Sequence, residues 1–200
     1  MIAVITGDIM NSREVVPSIW LESLKGVLLL YGDEPSAWEI YRGDSFQLKL
    51  SSDKALRCAL HIKSAIKQHD LLDVRMAIGF GEESHHAEKI TESNGTAYLN
   101  SGNCFESLKK ETLAVASMNK VLDERLNLML SLLLLTANQW SKTVSKVLCA
   151  AFEHPNLPQV ELAALLDKSQ SSISEALKRG AYDEILKLNE LFQAEIKSSL

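Results

Sequence analysis

Apolar and polar positions along the chain change their period several times, and each change marks an element. Ile2–Thr6 is a short Ile/Val-rich run closed by Gly7-Asp8, the pattern of a buried strand that ends at a turn. Asn11 and Ser12 are helix-capping types. Behind them Val15, Ile19, Leu21, Leu24, Val27 and Leu28 recur at helical spacing. Residues 38–42 alternate, Gly43-Asp44 supplies a turn, and residues 45–50 alternate again, which predicts a hairpin. Ser52 and Asp53 open a second helix whose apolar face is Ala55, Leu56, Ala59, Leu60, Ile62, Ala65 and Ile66. VRMAIGF (74–80) reads as a strand, 82–95 as a polar loop, 100–110 as a helix and TLAVAS (112–117) as a last strand. Strand, helix, hairpin, helix, strand, helix, strand predicts an α+β domain over 1–117, with helices on one face of a mainly antiparallel sheet.

From Met118 onward no strand pattern appears. Residues 118–137 and 139–152 each read as one helix, and HPNLP (154–158) breaks the chain. Helices at 159–166, 170–179 and 182–196 follow, the first two separated by the polar turn 167–169. The expected organisation is therefore 1–117, a connecting helix at 118–137, and a helical domain at 138–200. The connecting helix is apolar nearly all round in its second half, so it must be buried, in the core or against a second copy. Homodimerisation is the expectation.

The charge balance narrows the functions available. With 21 Lys+Arg against 26 Asp+Glu, the 200-residue chain carries a net charge of −5. The segments 1–117, 118–137 and 138–200 carry −4, 0 and −1. A surface that is basic throughout is excluded, while a local nucleic-acid reading head is not. The three cysteines, Cys58, Cys104 and Cys149, show no CxxC spacing, which argues against a disulfide framework or zinc knuckle. Cys58 and Cys104 are expected as buried small hydrophobes. MIAVITGD lacks the basic start of a signal peptide, and Leu126–Ala137 is too short for a bilayer. A cytoplasmic protein with no membrane span is expected.

Two places carry candidate chemistry. Asp8 at the end of the first strand and Asp44 at the hairpin tip would project from one end of the sheet if those strands are neighbours. Two carboxylates with the carbonyl of Ile9 suit Mg²⁺ or Mn²⁺, and Asn11, Ser12 and a helix N-terminus beside them suit a nucleotide phosphate. Gly-Asp also occurs at turns for conformational reasons alone. His85 and His86 are adjacent, point apart on any regular element, and read as part of a solvated loop.

TGDIMNS (6–12), GDSF (43–46) and VRMAIGFGE (74–82) resemble the SatD family, itself similar to a reduced form of the class III nucleotidyl cyclase and GGDEF palm domains. The resemblance covers about the first 117 residues. It implies a ferredoxin-like palm fold with Asp8 and Asp44 at the two metal-binding positions. It also sets Arg42 and Glu92 near the nucleotide, Arg42 close to where cyclases carry a purine-selecting Lys (here Ile40) and Glu92 three residues before Gly95. The Asn and Arg that steady the transferred phosphoryl group in cyclases are replaced by Leu99 and Asn103. Such an Arg is worth ~10³–10⁵ in rate, so nucleotide binding is expected rather than cyclase turnover.

The second place is QVELAALLDKSQSSISEALKRG (159–180), which resembles the helix-turn-helix of bacterial regulators. Ser169 would cap the second helix, with Ile173, Ala176 and Leu177 packed inward. Gln170, Ser171, Ser172, Glu175, Lys178 and Arg179 would face DNA, Ser and Gln reading base edges and the basic pair holding phosphate. A tri-helical unit that only packs against protein has the same grammar. The expected function is a transcriptional regulator with a nucleotide- and metal-binding sensor domain. An enzyme acting on a nucleoside triphosphate and a scaffold with neither activity are the alternatives.

Overall fold

In the computed structural model, which describes residues 1–199, the apolar run at the N-terminus forms the middle of a sheet. The strand β1 (Ile2–Met10) pairs antiparallel with β3 (Ser45–Ser51) on one side and with β4 (Asp73–Gly81) on the other. At the outer edges, β2 (Trp38–Tyr41) runs antiparallel to β3 and β5 (Leu113–Ala116) runs parallel to β4. The sheet order is β2-β3-β1-β4-β5. The molecule is α+β with a mixed sheet, antiparallel at every pairing except β4 with β5. A parallel neighbour needs a crossover connection, and the helix α3 (Thr96–Ser107) supplies it.

That crossover also overturns the expectation of helices on one face. Ala3, Ile5 and Ile9 of β1 face the main core, which holds Trp20, Leu24, Val27 and Leu28 of α1 (Pro17–Leu29) and nearly all of α2 (Ala55–Ile66). Val4 instead packs with Ile90, Ala97 and Tyr98, and Thr6 Oγ1 lies 2.6 Å from Ser101 Oγ of α3. Small residues make this second layer possible. A Cβ on Gly79 would sit 2.2 Å from the Ala97 carbonyl oxygen and the Ser101 nitrogen. Such contacts leave almost no apolar periodicity in α3, so its buried face is hidden in the sequence.

Gly7 misleads in a related way. Read as a turn, it lies in the middle of β1, opposite Phe46 and Met76. A Cβ there would stand 2.6 Å from the Phe46 ring, so the glycine marks a close approach inside the sheet rather than its end. The strand continues to Met10, a short 3₁₀ turn occupies Ser12–Glu14, and α1 begins only at Pro17, with proline in the first turn. Its core face is set by Trp20, whereas Ile19 is exposed.

The helix α2 is buried on every side except at Arg57, as an apolar helix between two layers must be. One layer is the sheet and the other is α5 (Lys142–Glu153). Beyond α5 lies α7 (Gln170–Arg179), preceded by α6 (Gln159–Leu165). The helix α8 (Tyr182–Ser199) returns to α4 (Lys120–Ala137), and its Phe192 ring lies 6.0 Å from Phe80 of the sheet. Buried residues from 1–117, 118–137 and 138–199 thus share one continuous core.

Along α4, Leu122, Leu126, Leu130, Leu133 and Leu134 are buried. Val121, Leu128, Leu132 and Leu135 on the opposite stripe are 58–73% exposed, so the expected all-round burial is not met within one chain. Asn127 of the same helix caps the edge of β5. Its side chain accepts from the Val115 N–H at 2.9 Å and donates to the Val115 carbonyl at 2.9 Å. An unpaired strand edge is thereby given a surrogate neighbour. No helix among the described residues is long and apolar enough to cross a membrane.

Candidate functional site

Register decides what Asp8 and Asp44 can do. Asp8 lies two residues inside β1, opposite Ser45 on one side and Arg75 on the other. Directly opposed residues share a face of the sheet, and the Arg75 guanidinium grips Asp8 twice. Nη2 donates to Oδ2 at 2.7 Å and Nε to Oδ1 at 3.3 Å. The Phe105 ring of α3 covers the guanidinium at 4.9 Å. Hydrogen bonding to Asp8 raises the Arg75 pKa.

Asp44 is joined to β1 through its backbone, its carbonyl accepting from the Ile9 N–H at 3.1 Å. Its carboxylate accepts from Ser12 Oγ at 2.5 Å. It borders a cavity of about 580 Å³ between the hairpin tip and the start of α1, with Ser12, Arg13, Trp20 and Arg42 on the walls. The two aspartates are neighbours through the backbone but take different side-chain partners. Their oxygens suit Mg²⁺ or Mn²⁺ in type. Both oxygens of Asp8 are held by Arg75, however, so a cation shared by Asp8, Ile9 and Asp44 requires that ion pair to open.

Among the other expected nucleotide contacts, Ser12 and Arg42 reach the cavity and the rest do not. Arg42 has a φ of 53° in the hairpin turn, a left-handed conformation disfavoured for a residue with a Cβ. Asn11 is also left-handed, at φ 61°, and its side chain donates to the Leu71 carbonyl at 2.8 Å. Glu92 is exposed in a 3₁₀ turn whose neighbour Thr91 bonds Glu39. No hydrogen bond or ion pair among the described residues ties Glu92 to Asp8 or Asp44. Leu99 and Asn103 are exposed on α3. Arg75 was missed in the sequence. Its signal was a lone charge in VRMAIGF, out of step with the core-facing Val74, Met76, Ile78 and Phe80 and opposite a carboxylate on the next strand.

In the helical half, α6 and α7 are joined by the turn 166–169, with Asp167 left-handed at φ 52°. The Ser169 hydroxyl accepts from the Ser172 N–H at 3.2 Å and caps α7. Ile173, Ala176 and Leu177 are buried. Gln170, Ser171, Ser172, Glu175, Lys178 and Arg179 are all exposed. Lys178 and Arg179 stand in the last turn, where the helix dipole favours cations.

The cysteines and histidines distribute unevenly. Cys58 is buried in α2, whereas Cys104 is only half-buried on α3. His85 bridges Asn94 across the loop, and His86 Nδ1 lies 3.2 Å from Lys49 Nζ. A different grouping, His61 with Cys149 and Glu153, brings one ligand atom from each residue within 4.8 Å of the others. Burial, reinforced by nearby Arg57, lowers the His61 pKa to about 4, and burial raises the Cys149 thiol to about 12. Eighty-eight positions separate His61 from Cys149, so no local spacing could have joined them.

No protein-family model, curated protein or solved structure matches the chain.

Proposed function

We propose that this chain is a SatD-like cytoplasmic transcriptional regulator in which α5, α6 and α7 form a helix-turn-helix unit that reads DNA. The observation that carries the reading is the two-sided character of α7. Its N-terminus is capped by Ser169, its inner side is closed by Ile173, Ala176 and Leu177, and its outer side presents Ser171, Ser172, Glu175 and Lys178. In this arrangement the serines near the N-terminus of α7 meet base edges in the major groove, while Lys178 and Arg179 hold phosphates.

The sheet half is the sensor in this reading. The order β1-α1-β2-β3-α2-β4, with β2-β3-β1-β4 as neighbours, supports a ferredoxin-like palm fold extended by β5. The cavity beside Asp44 takes a nucleotide whose phosphates meet Arg13 and Arg42. A Mg²⁺ or Mn²⁺ ion accompanies it once Arg75 releases Asp8. With few basic residues on the helical half, one subunit makes few phosphate contacts, and specific affinity requires two subunits on a two-fold site. The exposed stripe of α4 at Val121, Leu128, Leu132 and Leu135 supports a homodimer.

Selection of genomic fragments at low salt followed by footprinting tests the function. A regulator enriches a small set of fragments and protects a two-fold symmetric site. Recovery no better than random DNA refutes the reading.

A further inference from the structure

We propose that His61, Cys149 and Glu153 form a three-ligand Zn²⁺ site between α2 and α5. The residues offer a ring nitrogen, a sulfur and a carboxylate oxygen, all within 4.8 Å of one another. Cys149 and Glu153 are four apart on α5 and therefore share a helix face. His61 comes from α2, against which α5 packs.

A second observation concerns the ring itself. His61 is 1% exposed, and its Nε2 has no hydrogen-bond partner. Its Nδ1 lies 3.3 Å from the Tyr31 hydroxyl, which fixes the ring. Leaving a buried polar atom unpaired forfeits its hydration with nothing in return, so such an atom calls for a partner. Histidines that ligate metals are commonly held by a hydrogen bond at the other nitrogen, as Tyr31 holds this one.

The donor chemistry selects the ion. Nitrogen, thiolate sulfur and carboxylate oxygen together suit Zn²⁺, whereas Mg²⁺ takes oxygen alone. Tetrahedral zinc with bonds of about 2.0–2.3 Å sets its ligand atoms about 3.3–3.8 Å apart. With every pair already within 4.8 Å, the grouping needs to close by no more than about 1–1.5 Å. Glu153 is exposed, so its carboxylate is the freest of the three ligands to adjust. Binding forms a zinc–sulfur bond and releases the Cys149 thiol proton to water. The two anionic ligands neutralise the ion.

Three protein ligands leave a fourth position open. Cys149 and Glu153 both border a cleft of about 410 Å³, which Ser23, Gln68 and Lys146 also line. Water or a small anion entering this cleft completes the tetrahedron, with Lys146 at its rim.

Co²⁺ titration of the full-length chain, followed by Zn²⁺ displacement, tests the site. The expected result is a thiolate-to-cobalt charge-transfer band that saturates at about one ion per chain and is abolished by Zn²⁺. Cys58→Ser and Cys104→Ser keep the band, and Cys149→Ser lacks it. Glu153→Gln, at an exposed position that leaves the fold intact, weakens Zn²⁺ binding by about tenfold or more. The proposal is overturned if the wild type shows no band in excess Co²⁺, if Cys149→Ser retains it, or if Glu153→Gln binds Zn²⁺ as tightly as the wild type.

Discussion

The buried ring of His61 makes the stability of the whole chain depend on pH. Its pKa falls from the ordinary 6.5 to about 4 because burial disfavours the imidazolium. Between those values the unfolded chain binds a proton that the folded chain refuses. Stability from this source is therefore complete above pH 6.5 and is lost as the pH falls toward 4. A shift of that size corresponds to about 3 kcal/mol in full, of which about 2 kcal/mol is lost between pH 7.5 and pH 5. With a urea slope of about 2–3 kcal/mol per molar, the midpoint should fall by roughly 0.7–1 M from this residue alone. Urea unfolding at the two pH values, in chelator so that no metal intervenes, measures the change. Other groups titrate in the same range, so the decisive quantity is the difference between wild type and His61→Gln. The variant should lose about 2 kcal/mol less than the wild type over this interval. Equal losses in the two proteins would show that the ring is protonated without penalty, and the assignment of a buried, neutral His61 would fail.

Other expectations concern separate parts of the molecule. Arg75→Met frees the Asp8 carboxylate and should tighten Mn²⁺-nucleotide binding by about five- to tenfold, about 1 kcal/mol for a half-exposed ion pair; calorimetry showing unchanged or weaker binding contradicts that exchange. Ile173→Ala opens a cavity beneath α7 and should cost about 2–5 kcal/mol, whereas Ser169→Ala should cost only the cap, about 1 kcal/mol. Thermal melts that rank the two the other way would mean that α7 is held by its cap rather than by its buried face. Incubation with ATP or GTP and Mn²⁺ should yield no cyclic nucleotide by product analysis, because Leu99 and Asn103 offer no cation to the transferred phosphoryl group.

The sequence pattern revealed those parts of the fold in which burial follows a simple period. The hairpin around Gly43, the strand VRMAIGF and the inward triplet Ile173, Ala176 and Leu177 all follow periods of two or of three to four. Contacts made by small residues escaped notice. Gly7 and Gly79 resemble punctuation in one dimension but are points of close approach in three, and α3 buries its face through Ala97 and Ser101. The candidate site shows the same division. Asp8 and Asp44 fall on neighbouring segments, as their motifs imply, yet the partner that neutralises Asp8 lies 67 residues away, on β4. His61 and Cys149 meet only because α5 packs against α2, and nothing in the local pattern records that packing.

DNA binding is tested most directly by fluorescence anisotropy on the footprinted fragment. It is measured against salt for the wild type, Lys178→Ala and Ser172→Ala. The account predicts that Lys178→Ala weakens binding to all sequences alike and lowers the salt slope by about one unit, as loss of one phosphate contact does. It predicts that Ser172→Ala leaves the slope unchanged and costs about 1–3 kcal/mol at one base pair. Wild-type binding no tighter to that fragment than to random DNA, or slopes and preferences identical in all three proteins, would contradict it and leave α5–α7 as a protein-packing unit.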